Sequence, residues 1–405
     1  IDKLKIERNK TQDFVYLLPN AKSDYFQNLN FCKRIHFNLD FFEREDLSLN
    51  ELAEKLLLES KKYAQKDFGL AKPKNSVYTI IEFIFKKSAS DFYQLFKNSD
   101  YFDEVFLLSG TILETRRKYI INYLKKKFNR CKRILLVTTQ VVEAGVDIDM
   151  DIGFKDTSLI DSDEQLAGRI NRNVNKKECQ LWLFNYNKAR YVYGKDKRLE
   201  ISQRLSVTEY EEILANKNFD KVYDDVIHFR NKQNATRFLQ KFDDYRKLVE
   251  QLMFQSVHDK FKLIDQENIS CFIPLDIPVI ISVDEGIPEY TLNKSEVEFL
   301  QSHFIYSKED NVLIFEKIFN LYINLIERQG DFIERKINQK ILQGILSNFV
   351  FSIFASPKIE QQLILFSDEE KSKYGYKYVQ DWYKFYSIEE GMRTDDFNSS
   401  ETQFL

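Results

Sequence analysis

From about residue 12 to residue 190, short apolar runs alternate with amphipathic segments. That alternation restricts the possible folds more than any other feature of the chain. The candidate strands are Phe14 to Leu18, Arg34 to Phe37, Val77 to Ile84, Val105 to Leu108, Ile134 to Val137 and Gln180 to Phe184. Several are continuous β-branched or apolar runs, the pattern of strands buried on both faces of a parallel sheet. Between them, Ser48-x-x-Glu51, Ser88-x-x-Asp91 and Thr111-x-x-Glu114 read as capping boxes followed by apolar residues at helical spacing. The expectation is an α/β layered domain.

The character changes after about residue 195. Phe238, Phe242, Tyr245, Leu248 and Leu252 recur at three- and four-residue steps, as on the buried face of a long helix. Pro274 and Pro278 flank a short extended stretch, helices are expected across Leu313–Glu327 and Phe332–Leu346, and Tyr374, Tyr376 and Tyr378 alternate as on a strand. With 405 residues one core is too small a prior, so two domains are expected, 1–195 and 196–405. No apolar run approaches the ~18–20 residues of a membrane span. The first residues are charged where a signal peptide would be apolar. The 4 Cys are far apart without a CxxC, so neither a zinc site nor a disulfide framework is suggested and a cytoplasmic setting fits. A net charge of −3 exerts no global pull on nucleic acid; any such binding must use a local basic surface.

The chemistry concentrates between Ile134 and Asn173. The strand ILLV delivers Thr138 and Thr139 to its carboxyl end, where ligands collect in open α/β sheets. Gly145 then supplies backbone freedom for a turn, and the Asp147 carboxylate can accept from a ribose hydroxyl. In QLAGRINR, a helical reading puts Gln165, Arg169 and Arg172 on one face. Two guanidinium forks and an amide aimed at one spot suit the terminal phosphate of a nucleotide and the charge that develops during its transfer. An arginine so placed contributes roughly 10³–10⁵ in rate.

These segments resemble a known family. TTQVVEAGVDID is similar to motif V and QLAGRINRN to motif VI of superfamily 2 helicases, in wording closest to the CRISPR-associated helicase of type I systems. FKDTSLIDS between the motifs and LLSGTILETRRKYI before them also fit, with Ser109 and Arg116 at matching places. The resemblance implies a RecA-like parallel sheet with flanking helices, the second lobe of a helicase motor, followed by a mainly helical accessory domain with a few strands. It implies that Thr139, with Thr138, Ser109 and Arg116, lies on the DNA backbone and that Asp147, beyond the Gly145 turn, meets the ribose. It further implies that Gln165 and Arg169 face the γ-phosphate and that Arg172 is the arginine finger. The implied cofactor is ATP with Mg. The implied partners are single-stranded DNA, an RNA-guided CRISPR surveillance complex, a first helicase lobe and a histidine–aspartate nuclease.

The sequence also departs from that family. The 11 glycines never precede Lys-Thr or Lys-Ser, so no phosphate loop is visible; nor is a DExH box, and 4 His are too few for the nuclease. The chain starts at Ile1 rather than Met and is expected to be a C-terminal fragment with its metal ligands on the missing lobe, inactive alone. Rival readings are another superfamily 2 motor, a split non-catalytic subunit completing an ATPase site in trans, and an inactive remnant.

Other signals are weaker. Gln165 could instead pair with Ser162 in a capping box. The run Arg116–Arg133 carries basic residues at 116, 117, 118, 125, 126, 127, 130, 132 and 133 and no acid, over an apolar face of Ile120, Ile121, Leu124 and Phe128; it reads equally as a solvated face or a phosphate track. His258-Asp259 lacks companions for a metal site. Cys131 and Cys179 read as small core or near-core residues, and the stretch YGYKYVQDWYKFY as an aromatic strand on the core before a base-stacking surface.

Overall fold

The computed structural model describes residues 20, 23–24, 34–44, 46–69, 72–260, 267–284, 286–307, 309–327 and 332–393. The expected strand Phe14 to Leu18 lies outside them. In order along the chain come β1 (His36–Phe41), α1 (Leu49–Ala64), β2 (Val77–Glu82), α2 (Lys86–Phe96), β3 (Glu104–Leu108), α3 (Glu114–Lys125), β4 (Arg133–Thr138), β5 (Ile152–Asp156), α4 (Ile160–Ala167) and β6 (Gln180–Phe184). They form a six-stranded parallel sheet with flanking helices, the RecA-like class implied by the sequence. The chain divides into two compact units interleaved in sequence: 1–62, 68–72 and 149–266 in one, 63–67, 73–148 and 267–405 in the other.

In the first unit β6 lies between β1 and β5, with His36 opposite Gln180 and Ile152 opposite Gln180. Strand β5 escapes the sequence pattern because IGFKD carries two charges, yet all five residues are buried. Its charges are satisfied locally: Lys155 Nζ donates to Ser162 Oγ at 3.1 Å, and Asp156 accepts from the Tyr186 and Asn187 backbone N–H groups. Beyond β6 follow α5 (Lys197–Ser202), α6 (Val207–Asn216), α7 (Asp220–Glu250) and α8 (Phe254–Lys260). The long helix forms as expected, but it ends before Leu252, which takes a left-handed φ of 58° and is 72% exposed. Tyr245 and Leu248 are only half-buried, so this end of the helix does not carry the core stripe its spacing suggests; the side chains of Phe238 and Phe242 lie outside the described residues.

In the second unit β4 lies between β2 and β3, and Leu108 of β3 faces Thr138 of β4. Ile80, Ile81 and Ile134 to Val137 are fully buried, as continuous apolar runs require. Residues 267–392 add two two-stranded pairs, β8 (Ile277–Pro278) with β11 (Val312–Leu313) and β9 (Ile280–Asp284) with β10 (Ile287–Tyr290), and a three-stranded sheet in which β7 (Asn268–Phe272) is flanked by β12 (Val350–Phe354) and β13 (Lys377–Tyr378). Helices α9 (Lys294–Ser302), α10 (Phe315–Glu327), α11 (Phe332–Leu346) and α12 (Pro357–Phe366) complete this region. Its core is built on Phe272, Phe319, Phe349, Leu342 and Tyr378. The alternating tyrosines yield only the two-residue β13, while Tyr378 and Tyr386 pack inward as an aromatic core does.

Of the three capping boxes, Ser48–Glu51 is present in full. The other two are corrected. Helix α2 begins at Lys86 and α3 at Glu114, neither with a side-chain cap. Thr111 has a distant partner instead: its Oγ1 accepts the Met392 N–H at 3.1 Å from the hairpin of β14 (Tyr386–Ser387) and β15 (Gly391–Met392). The Ser162–Gln165 box is also absent, because α4 starts at Ile160 and Ser162 Oγ accepts from Lys155 and Ser158. Cys179 is buried as expected, but Cys131 is exposed.

Candidate functional site

The first cluster sits at the carboxyl ends of β3 and β4, where the parallel register brings Ser109, Thr138 and Thr139 together. The Thr138 hydroxyl donates to the Leu108 carbonyl at 2.8 Å, and the Thr139 N–H donates to the same carbonyl at 3.3 Å. Ser109 Oγ meets Thr111 Oγ1 at 3.4 Å. All three side chains are buried, and the Thr139 hydroxyl has no hydrogen-bond partner among the described residues. A buried hydroxyl without a partner costs ~1–3 kcal/mol, so this strand end holds an unmet donor and acceptor. Arg116 lies one element away on α3, its guanidinium 5.1 Å from the Tyr119 ring and 5.7 Å from the Phe106 ring.

The turn after β4 has the geometry its glycine implies. Gly145 takes φ +71°, where L side chains are strained, and a Cβ there would meet nothing within 4 Å. The conformation alone therefore demands glycine. Asp147 follows, exposed, with an oxygen 3.2 Å from Lys125 Nζ.

The second cluster, in the other unit, corrects the single-helix reading. Helix α4 stops at Ala167 and Gly168 caps it, so Gln165 lies on the last helical turn but Arg169 and Arg172 do not. The chain instead forms a loop against residues 149–151. Met150 N–H donates to the Arg169 carbonyl at 2.8 Å, Met150 pairs with Ile170 in a parallel bridge, and Asn171 N–H donates to the Met150 carbonyl at 2.9 Å. Asn171 turns the loop in the left-handed region at φ 47°, which asparagine tolerates better than most residues. The Arg172 N–H then donates to Asp149 Oδ1 at 2.9 Å. Gln165 and Arg172 are exposed and Arg169 is half-exposed.

Residues the sequence did not single out hold this loop. The Lys176 side chain is 1% exposed, with Nζ 3.0 Å from Asp149 Oδ1 and 2.7 Å from Asp151 Oδ1. Arg34 donates to the Ala167 carbonyl at 3.3 Å and accepts on its own carbonyl from Asn171. Burial lowers the Arg34 pKa, against the opposing pull of Glu164 and Asp149. The only early trace of this arrangement is the alternation VDIDMD, which places aspartates at every second position between buried apolar residues.

The basic run on and after α3 is mostly engaged within the protein. Arg117 pairs with Glu114, Arg133 with Asp103 at 2.6 Å, and Arg130 lies 4.5 Å from the Tyr78 ring. Lys132 is bonded to the Tyr123 hydroxyl and Lys126 to Ser282. Lys127 is exposed. A cavity of about 390 Å³ opens at the carboxyl ends of β1, β5 and β6, lined by Phe42, Ser158, Tyr186, Arg190 and Tyr210 among others. None of Thr139, Gly145, Asp147, Gln165, Arg169 and Arg172 lines it, although Thr157 and Ser158 of the FKDTSLIDS stretch do. His258 is exposed on α8, and the described residues contain no group of three or more His, Cys, Asp or Glu able to hold a metal ion. No helix among them is long and apolar enough to cross a membrane.

Residues 77–175 match a family model described as CRISPR-associated nuclease/helicase Cas3, C-terminal. A CRISPR-associated nuclease/helicase Cas3 of Methanothermobacter thermautotrophicus is 28% identical over 122 residues, 29% of this chain and 15% of that protein. The crystal structure of T. fusca Cas3 with AMPPNP is similar at 13% identity and a TM-score of 0.42, covering 85% of this chain and 39% of that one. A chain of a CRISPR RNA-guided surveillance complex, pre-nicking, gives 13% identity and a TM-score of 0.41, with 85% and 41% covered. The chain thus spans well under two thirds of the length of each of these relatives.

Proposed function

We propose that this chain is a C-terminal part of a CRISPR Cas3-type helicase, a reading supported by the family match over residues 77–175, and that it forms half of an ATP-driven motor on single-stranded DNA. Residues 1–195 act as the second RecA-like lobe and 196–405 as the accessory domain. Arg172 is the arginine finger, Arg169 and Gln165 face the γ-phosphate, and Asp147, set by the Gly145 turn, accepts from the ribose. Magnesium ligands belong to the first lobe, as do the phosphate loop and DExH box, so the chain alone does not turn over ATP.

The single observation that carries this reading is the anchoring of the Arg169 carbonyl and the Arg172 N–H to Met150 and Asp149, inside the family-matched segment. That geometry fixes the main chain of both arginines while leaving Arg172 exposed, which is what a residue delivered to a transferring phosphoryl group needs. On the DNA side, Ser109, Thr139 and Arg116 face the backbone. Thr139 offers the hydroxyl that has no partner, while the Thr138 hydroxyl is held by Leu108. Because Ser109 and Thr139 are buried, strand binding has to open this strand end. Backbone contacts favour translocation with little sequence preference, leaving sequence choice to an RNA-guided surveillance complex in the cytoplasm. Whether the enzyme also carries a nuclease is decided by the polypeptide that accompanies this chain.

The test mixes this chain with a first-lobe polypeptide and measures DNA-stimulated ATP turnover for the native sequence and for Arg172→Ala. The reading expects a loss of roughly 10³–10⁵ in turnover for the variant. Equal rates would remove the arginine finger from the account, and sustained turnover by the 405-residue chain alone would refute the half-motor assignment.

A further inference from the structure

Lys176 stands out because a charged side chain almost never sits fully buried unless it is paired. Here one ammonium lies among four acceptors: Asp149 Oδ1 at 3.0 Å, Asp151 Oδ1 at 2.7 Å, and the carbonyl oxygens of Asp149 and Met150, each at 3.1 Å. A buried ion pair is a poor investment in stability, since desolvation offsets most of its attraction, but it can fix a register. The register in question is visible. Asp149, held by Lys176, accepts the Arg172 N–H on Oδ1 at 2.9 Å and the Asn173 side-chain amide on Oδ2 at 3.0 Å. The loop also closes on itself, because Asn171 Oδ1 accepts the Lys176 N–H and Asn171 Nδ2 donates to the Lys176 carbonyl, both at 3.0 Å.

We infer that Lys176, acting through Asp149 with Asp151 as counter-charge, is a positioning residue that presets Arg172 for phosphoryl transfer. The inference rests on the arginine-finger reading of Arg172 and goes beyond it by naming what holds the finger. With no helix beneath it, the Arg172 main chain is held by this anchor. A misplacement near 1 Å costs on the order of 10² in rate. A residue that acts in the transition state changes kcat while leaving KM nearly alone.

The experiment compares native enzyme, comprising this chain and its first lobe, with Lys176→Met, Asp149→Ala, Arg172→Ala and the Lys176→Met/Arg172→Ala double variant. Asp149→Ala is included because it leaves Lys176 paired with Asp151 and avoids stranding two buried carboxylates. Expected are about 10²-fold losses of kcat in Lys176→Met and Asp149→Ala with KM within about 3-fold. The double variant should be no slower than Arg172→Ala, because the anchor has nothing left to position. Backbone amide exchange at Arg172, measured on the 405-residue chain, should accelerate in Asp149→Ala. Native kcat in Asp149→Ala, or a double variant slower by the product of the two single losses, would overturn the inference. A purely structural role produces that second pattern. Native turnover in Arg172→Ala would instead overturn the reading beneath it, and the exchange data would still show whether the anchor exists.

Discussion

Gly391→Ala tests how the carboxyl-terminal hairpin is fitted to the loop after β3. Gly391 has φ +69°, and a Cβ placed on it would lie 2.5 Å from Thr111 Oγ1 and 3.0 Å from the Thr111 carbonyl oxygen. Thr111 is fully buried, and its Oγ1 already accepts the Met392 N–H. It cannot move away without breaking that bond. The left-handed conformation alone costs an alanine ~1–2 kcal/mol. Losing the hydrogen bond adds about 1 kcal/mol, and forcing a methyl into packed surroundings adds ~1–3 kcal/mol. The total is about 3–6 kcal/mol. Gly145→Ala is the internal control, because it has nearly the same φ, +71°, with nothing within 4 Å of its Cβ; it should cost only the first ~1–2 kcal/mol. The chain has 2 Trp, so a Trp182→Phe background leaves Trp382 as sole reporter of urea unfolding. Trp382 donates to the Pro274 carbonyl at 3.1 Å and lies 6.4 Å, ring to ring, from Tyr386 of the hairpin. At an m-value of ~2–3 kcal/mol/M, Gly391→Ala should unfold about 1 M earlier in urea than Gly145→Ala. Coincident midpoints would refute the close-approach argument.

Two further outcomes are expected. Lys221 and the Ser206 cap hold the exposed Glu209 carboxyl down to about 2, below its ordinary 4.5; a folded pKa below the unfolded one stabilises above the unfolded value and is lost as pH falls toward the folded one. Glu209→Gln should therefore lower the urea midpoint at pH 7 and converge with native protein near pH 2, whereas a gap independent of pH would count against the linkage. Replacing Lys125, Lys126 and Lys127 with Glu should flatten the salt dependence of single-stranded DNA binding by up to about 2 in log–log slope, at ~0.7 per phosphate lost; an unchanged slope would assign Lys125 and Lys126 to their contacts with Asp147 and Ser282 and Lys127 to a solvated surface.

Much of this was legible in the sequence where one physical pattern acted alone. Strands β2 and β4 are mainly β-branched or apolar runs buried on both faces, and the Ser48–Glu51 box closes within four residues, so neither needs a distant partner. Gly145 was readable because its constraint is conformational. What stayed hidden involves tertiary partners. Strand β5 hides its charges on Ser162 and on the backbone of residues 186–187, so IGFKD does not look like a buried strand. Thr111 caps no helix because the hairpin claims its hydroxyl. The spacing of Gln165, Arg169 and Arg172 fits a helix, yet Gly168 ends that helix, and Gly168 was there to be read as a stop signal. Lys176 gave no local sign of burial, because its partners come from the segment before β5.

The central claim is that Asp147, Gln165, Arg169 and Arg172 serve one nucleotide. A crystal structure of the enzyme comprising this chain and its first lobe, with ADP and aluminium fluoride, tests it most directly. The account predicts guanidinium nitrogens of Arg169 and Arg172 within about 3.2 Å of the fluoroaluminate and an Asp147 oxygen within hydrogen-bond reach of a ribose hydroxyl. A bound nucleotide with both guanidiniums more than about 6 Å from the fluoroaluminate, beyond any direct hydrogen bond, would contradict it.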